Sequence, residues 1–428
     1  MDSNMLPLYD HQKKIIDADP LKCGLFLGTG ASKTRTALVL AEGDTLVICP
    51  KQQRDDKTWE RENEKWETNV GLMVISKEDI RKMWDILPHF DTVIIDECHN
   101  NLGVMPAYVQ RNKIQIPKTS QIFDATQKFL EKHPPTRFYL LSATPAPKPM
   151  SVWAIGVLFG HKWDFAQFRS KYYNEIRMGG VRRVWMPKKD EATRQELADL
   201  IKRLGYTGGL NDFFDVPEQT HKTVEIDLTA EQKRAIADVS FSEPDPLVRR
   251  ARLRTVENGV LYGKKIEEGE GKVDIMSSET ILFKNNKIPY ILEKAQEFPK
   301  LLIFANYTAQ ILEIEKALKK EGYNVSTLTG ATKDRTFIQR VNESPEPHII
   351  IAQSSISSGY ELPTFPCVIY ASKSFRYVDY EQSTGRVLRS NALKKNLYIH
   401  LVVKGCDMDC HNTIMSGQDF QERLTINI

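Results

Sequence analysis

The stretch Leu25-Phe26-Leu27-Gly28-Thr29-Gly30-Ala31-Ser32-Lys33-Thr34-Arg35-Thr36-Ala37-Leu38 decides how the rest of the chain is read. Three apolar residues run into a glycine-rich turn, and the turn opens into residues that suit a helix. Strand, tight turn and helix in that order make a phosphate-binding loop. Backbone N–H groups of the turn and the helix start converge on one spot, and the helix dipole favours an anion there. Lys33 would reach β- and γ-phosphates and Thr34 a Mg2+ ion, so Gly28, Thr29, Gly30, Ala31, Ser32, Lys33 and Thr34 are the candidate nucleotide-binding residues. Ser32 departs from the usual pattern, because a second glycine normally precedes the lysine; its Cβ could crowd the loop. On this stretch alone, an ordinary glycine-rich strand–helix turn is the alternative.

Outward from it, short β-rich apolar runs alternate with helical-period segments in two blocks. The first block continues with Thr45–Cys49, Leu72–Ser76, Thr92–Asp96 and Phe138–Ser142. The second holds Leu301–Ala305, Val325–Thr329, His348–Ala352, Cys367–Ala371 and Leu397–Val403. Runs of this length, bounded by turn or charged residues, read as buried parallel strands with helices between them. The pattern predicts two open α/β domains. We place the first at 1–220, with a helical and hairpin insertion at about 163–215, and the second at 221–428, led by a polar helical segment at about 229–288. Within the polar middle, 189–204 predicts an amphipathic helix. Arg177–Trp185 predicts a hairpin turning at Gly179-Gly180, and Lys265–Asp274 reads as a polar loop.

The 428 residues carry 59 basic and 56 acidic side chains, a net charge of +3. Such a balance does not announce a nucleic-acid binder, so any such surface must come from local segregation of charge. Cys23, Cys49, Cys98, Cys367, Cys406 and Cys410 form no disulfide framework and read mainly as small buried hydrophobes. Cys406, Cys410 and His411 suggest a metal site, but no second pair completes a ligand set, and no structural metal is expected. The polar N-terminal segment is no signal peptide and no run is long enough to span a bilayer; the expectation is a soluble cytoplasmic protein without a membrane partner.

Three further motifs carry chemistry. Val93–His99 ends a strand with Asp96 and Glu97. A carboxylate there can hold Mg2+, through water in the case of Asp96, while its neighbour polarises an attacking water. Leu140–Pro145 places Ser142 and Thr144 at another strand end, where hydroxyls could sense a γ-phosphate; a small-residue turn before proline is the plain alternative. Tyr380–Arg389 carries Gln382, Gly385, Arg386 and Arg389. If this segment starts a helix, the two arginines share a face and can meet developing phosphate charge; otherwise they are a solvated basic face.

In this order the four pieces resemble motifs I, II, III and VI of superfamily 2 helicases, and most of the chain is similar to the Swi/Snf-like branch in its compact phage and bacterial form. Leu8–Ile16 resembles the branch's N-terminal adenine-reading motif, which makes Gln12 the candidate reader. Val47–Trp66 resembles region Ia, Asp212–Gln232 the bridge between lobes, and Ala251–Gly263 the helix that follows. Ser357–Pro363 sits where motif V lies, with Gly359 and Glu361 as candidate nucleotide contacts beside Gln382. The resemblance implies two tandem RecA-like domains with an ATP cleft between them, ATP and Mg2+ as cofactors, and duplex or branched DNA as partner of a monomer. Lys33, Asp96, Glu97, Arg386 and Arg389 take the catalytic roles, and Ser142 and Thr144 couple. It further implies nucleic-acid contacts at strand ends, for which Lys51, Ser76, Lys77, Asn306, Thr329, Gln353 and Ser354 are candidates. Arg182 and Arg183 on the hairpin join them, with Trp185 either stacking on a base or packing onto its own domain. For each strand-end residue a capped loop is the alternative, and the Arg249/Arg250/Arg252/Arg254 cluster is interleaved with apolar residues and reads as partly structural. The expected function is an ATP-driven translocase on duplex DNA. A strand-separating helicase on forked DNA and a weakly hydrolysing, nucleotide-regulated DNA-binding module are the alternatives.

Overall fold

The computed structural model describes residues 7–111, 114–178, 182–188, 190–262, 265–268, 273–276, 280–332, 334–356, 360–388 and 395–417. The chain divides into two compact units, Met1–Asp215 and Val216–Ile428.

The first unit contains β1 (Lys22–Leu27), β2 (Asp44–Cys49), β3 (Gly71–Ser76), β4 (Thr92–Ile95), β5 (Val104–Arg111), β6 (Ile114–Thr119), β7 (Arg137–Leu141), β8 (Tyr173–Met178), β9 (Arg182–Pro187) and β10 (Gly205–Gly208). Six of these form one sheet in the order β10-β1-β7-β4-β2-β3, every neighbouring pair parallel. The five strands expected from apolar runs are all present, and β4 and β7 are buried throughout, as a sheet covered on both faces requires. Between β1 and β2 in the sheet lie β7 and β4, so the loops after β1, β4 and β7 emerge side by side at the C-terminal edge. That is where ligands bind in open α/β sheets.

The sixth strand, β10, was not foreseen: its sequence Gly-Tyr-Thr-Gly has no apolar run, because it lies at the sheet's edge. β8 and β9 pair antiparallel where a hairpin is expected, its expected turn at Gly179-Gly180 lying outside the described residues, and the amphipathic helix Glu191–Leu204, capped by Asp190, is where the periodicity puts it. A second two-stranded ribbon, β5–β6, had no counterpart among the strands expected from the sequence.

The second unit contains β11 (Thr220–Glu225), β12 (Val260–Leu261), β13 (Lys265–Glu268), β14 (Val273–Met276), β15 (Ile281–Leu282), β16 (Lys300–Ala305), β17 (Val325–Leu328), β18 (His348–Gln353), β19 (Cys367–Tyr370) and β20 (Leu397–Val402). Its main sheet is again parallel, in the order β11-β20-β19-β16-β18-β17. Here too the unforeseen strand is the polar edge strand, β11. Lys265–Asp274 is not simply a loop. Its flanks pair as β13 and β14 in antiparallel register, and residues 269–272 lie outside the described ones.

Helices at 230–242 and 246–257 fill the polar segment ahead of this sheet. Arg254 is fully buried and lies 3.6 Å from Asp407; Lys287 Nζ donates to the other oxygen of Asp407 at 2.8 Å. Burial alone would raise the Asp407 pKa, but Lys287 and Arg254 hold it down at about 2. Arg250 pairs with Asp409, and Arg249 donates to the Glu243 carbonyl, so this arginine cluster largely serves packing. His411 uses both ring nitrogens within the fold, facing Lys373 Nζ at 2.9 Å and Thr223 Oγ1 at 3.2 Å. No group of metal-binding side chains occurs among the described residues, and no helix there is long and apolar enough to cross a membrane.

Candidate functional site

The loop leaving β1 is held in a conformation that its residues dictate. Gly28 donates its N–H to the Gly208 carbonyl at 2.7 Å, and a Cβ at Gly28 would come within 2.9 Å of the Leu210 nitrogen. Gly30 has φ +86°, a value that suits glycine. Ser32 has φ 55° and ψ 36°, the left-handed region, immediately before the helix Lys33–Leu40. The sequence position that normally holds glycine is therefore one whose backbone favours glycine. Ser32 offers no side-chain cap to the helix start, so that end is left to serve an anion. Lys33 Nζ donates to the Leu27 and Gly28 carbonyls at 2.8 and 3.0 Å and spans the mouth of the loop.

Gln12 braces this loop from the N-terminal helix Asp10–Asp17. Its side chain is fully buried. Nε2 donates to the Ser32 carbonyl (3.4 Å) and Thr36 Oγ1 (3.2 Å), and Oε1 accepts from Tyr9 N at 3.0 Å. His11 reaches the Ala31 carbonyl at 3.2 Å and stacks on Phe213.

Asp96 and Glu97 leave β4 beside this loop. Burial, then the Glu97 charge, push the Asp96 pKa up to about 7, against the opposing pull of Lys33 and a hydrogen bond from Gln53. Glu97 adopts φ 47°, a left-handed turn that starts the short helix Cys98–Asn100. Two residues on, His99 Nδ1 lies 3.4 Å from Glu97 Oε2 and 3.0 Å from Ser142 Oγ. Ser142 is fully buried and accepts the Thr144 N–H at 3.0 Å; the Thr144 hydroxyl is buried with no partner among the described residues. One sheet edge therefore carries Lys33, Asp96, Glu97, Ser142 and Thr144, with Thr34 on the first turn of the helix. Sequence reasoning had not singled out His99, Gln53 or Thr36. His99 was visible only as the last letter of Asp-Glu-Cys-His.

Residues expected to read phosphates or bases at strand ends are mostly engaged in local structure. Ser76 caps the helix Lys77–Met83 in a capping box with Asp79, and Lys77 is that helix's first residue. Lys51 is exposed at the start of Lys51–Asp55. In the second unit Asn306 donates its N–H to Ser372 Oγ, Thr329 bonds with Thr332, and Ser354 Oγ donates to the Ser372 carbonyl. Gln353 ends β18. Arg182 and Arg183 lie on β9, and Trp185 on the same strand packs against the first unit's core and Arg169.

The segment around Arg386 corrects one expectation. It does not start a helix but ends one: Tyr377–Thr384 closes at Gly385, and Arg386 lies just beyond. Its buried guanidinium donates to the carbonyls of Gln382 and Tyr360, both at 3.1 Å. Gln382 is buried on that helix, and Glu361 is exposed with its carbonyl accepting from Asn342. Gly359 and Arg389 lie outside the described residues.

Comparison with known proteins finds a family match within the second unit. Residues 283–391 match the helicase conserved C-terminal domain. A segment of 113 residues is 29% identical to the ATP-dependent RNA helicase DBP3 of Saccharomyces cerevisiae and 28% identical to that of Candida glabrata, a quarter of this chain in each case. The chain spans only about a fifth of the length of these relatives, 22% and 21%. Among solved structures, the Sulfolobus solfataricus SWI2/SNF2 ATPase core in complex with dsDNA aligns over 96% of this chain and 91% of its own. It does so at 18% identity and a TM-score of 0.38. Residues 283–391 thus match a helicase C-terminal domain, within a chain built of two parallel six-stranded α/β units of RecA-like type.

Proposed function

We propose that this protein is an ATP-dependent translocase on duplex DNA, acting as a monomer and of the Swi/Snf-like kind. The observation that supports it most is the adjacency of β1, β7 and β4, which gathers Lys33, Asp96, Glu97 and Ser142 at one sheet edge. The residues present fit Mg2+ and ATP: an uncapped helix start behind a glycine-rich turn, an ammonium spanning its mouth, and a carboxyl pair next to both. Thr34 and Asp96 would hold Mg2+, which when bound neutralises phosphate charge. In this reading Lys33 exchanges its two carbonyl partners for phosphate oxygens. Glu97 orients the attacking water, and His99 and Ser142 carry the state of that carboxylate to the loop after β7. From the second unit, Arg386 and Arg389 are the candidates to meet charge developing on the γ-phosphate, with Gln12 and Gln382 supporting the nucleotide.

ATP turnover measured side by side without nucleic acid and with single-stranded DNA, duplex DNA and RNA tests the reading. Duplex DNA is expected to stimulate most. Lys33→Ala is expected to lose ATP binding and turnover, whereas Glu97→Gln binds ATP and stalls. Stimulation by RNA alone, or near-normal turnover in either variant, overturns the assignment.

A further inference from the structure

Gln12 is 0% exposed, and both ends of its amide are committed to the protein. Nε2 carries two hydrogens; one goes to the Ser32 carbonyl at 3.4 Å and the other to Thr36 Oγ1 at 3.2 Å. Oε1 accepts the Tyr9 N–H at 3.0 Å and closes the turn that starts the helix Asp10–Asp17. Adenine presents a 6-amino donor where guanine presents a 6-oxo acceptor, so an amide that tells them apart must offer its oxygen to the base. Here that oxygen serves a backbone N–H, and no part of the side chain meets solvent.

What Gln12 does hold is the phosphate loop. The Ser32 carbonyl accepts from Gln12 Nε2, and from Thr36 N and Thr36 Oγ1 at 3.1 Å each. Three donors thus pin the carbonyl of a residue whose left-handed backbone, at φ 55°, does not suit serine. His11, the preceding residue, reaches the Ala31 carbonyl of the same loop at 3.2 Å. Rings surround it: Phe213 is stacked at 4.3 Å, Phe214 edge-on at 5.5 Å and Tyr9 parallel at 5.9 Å. Tyr9 is 38% exposed, so the side chain open to a base beside the loop is an aromatic ring and not the amide. Stacking tolerates any base, because each has a π face.

We propose that this chain takes purine nucleoside triphosphates without distinguishing adenine from guanine. Gln12 is a positioning residue for the phosphate loop, and the base is held by stacking on Tyr9. This rests on the reading of the sheet edge as a nucleoside triphosphate site. A site built to hydrogen-bond a substrate group rejects the analogue lacking it by about 10⁴–10⁵. Stacking alone leaves two purines within about tenfold of each other.

The test compares kcat and KM for ATP and GTP in the full chain, with and without duplex DNA, and measures inhibition by inorganic triphosphate, which has no base. The wild type is expected to show kcat/KM values for the two nucleotides within about tenfold. Gln12→Ala is expected to raise both KM values and the inhibition constant of inorganic triphosphate by one common factor of about ten, as buried bonds to the loop are lost. A fold defect that merely removes active protein lowers kcat and leaves those constants as they are. Tyr9→Ala keeps the backbone N–H that Gln12 uses; it should weaken both nucleotides alike and leave inorganic triphosphate unchanged. A preference for either purine beyond about tenfold, or a Gln12→Ala penalty confined to ATP, overturns the proposal while the nucleotide site stands. Gln12→Ala constants equal to the wild type refute the positioning role, and Tyr9→Ala constants equal to the wild type refute the stacking. A chain that hydrolyses neither nucleotide overturns the reading of the site itself.

Discussion

His99 Nδ1 stands 3.0 Å from Ser142 Oγ, and this contact joins the loop after β4 to the loop after β7. The same nitrogen is 3.4 Å from Glu97 Oε2, so one imidazole lies between the carboxylate proposed to orient water and a serine in the neighbouring loop. Ser142 can donate to the ring while accepting the Thr144 N–H, and a change in the charge or position of Glu97 is felt in the neighbouring loop. We expect Ser142→Ala and His99→Ala each to lower the stimulation of ATP turnover by nucleic acid about tenfold. The double variant should lose little more, a coupling of about 1 kcal/mol. Strictly additive losses would show that the two side chains act independently.

Ser32 holds a left-handed backbone that costs an L-residue about 1–2 kcal/mol, whereas glycine adopts it freely but loses about 0.5–1 kcal/mol more chain entropy on folding. Strain relief wins by a small margin. Ser32→Gly is expected to raise the melting midpoint of the nucleotide-free protein by about 1–4 °C and to leave turnover equal or higher. A large loss of turnover would assign the hydroxyl a role of its own on phosphate.

Asp96 should make the nucleotide-free protein less stable as pH rises. Burial and Glu97 raise its pKa from the ordinary carboxylate value to about 7, so between those two values the folded chain binds more protons than the unfolded one. Stability then falls as pH climbs toward 7 and is flat above it. Asp96→Asn removes that loss. Its midpoint should exceed the wild type by roughly 2–6 °C at about pH 8 and match it at about pH 4, while Mg2+-dependent nucleotide binding is lost. Thermal melts at the two pH values decide it: a midpoint advantage that does not grow with pH excludes an elevated Asp96.

Much of this site was legible because its parts are local. A glycine-rich turn between an apolar run and Lys33-Thr34, and an acidic pair ending Thr92–Ile95, each declare themselves within a few residues. The edge strands β10 and β11 were not legible, since strands at sheet edges are short and polar and lack the apolar run that marks a central strand. The β5–β6 ribbon was hidden by Pro106 and Pro117, which argue against strand in a sequence and are tolerated here because the ribbon sits outside the main sheet. The partnership of His99 with Ser142 spans 43 residues and exists only because β7 lies beside β4, a fact of topology. Around Arg386 the chemistry was read from spacing, but the helix Tyr377–Thr384 ends at Gly385, which reverses the expected placement of the arginine from a helix start to a helix end.

That reversal separates the two arginines of the second unit into different expected roles. Arg386 is buried, and its Nε and one terminal nitrogen satisfy the carbonyls of Gln382 and Tyr360 at 3.1 Å. Arg386→Ala leaves those carbonyls without these donors in a buried place, at a cost of about 1–3 kcal/mol each, so its melting midpoint should fall by several degrees along with its turnover. Arg389 follows three residues later in the sequence. If it is the group that meets phosphate charge, Arg389→Ala leaves the midpoint as it is and lowers kcat at least about a hundredfold, within the range of arginine fingers worth about 10³–10⁵. ATP affinity should change less than kcat, because the contact strengthens in the transition state. Melting curves and steady-state kinetics on the two single variants read both quantities. An Arg389→Ala protein with kcat intact and only weaker ATP binding would move the finger role to Arg386. An Arg386→Ala protein that melts like the wild type would show that its two carbonyl bonds do not hold the turn, leaving it free for catalysis.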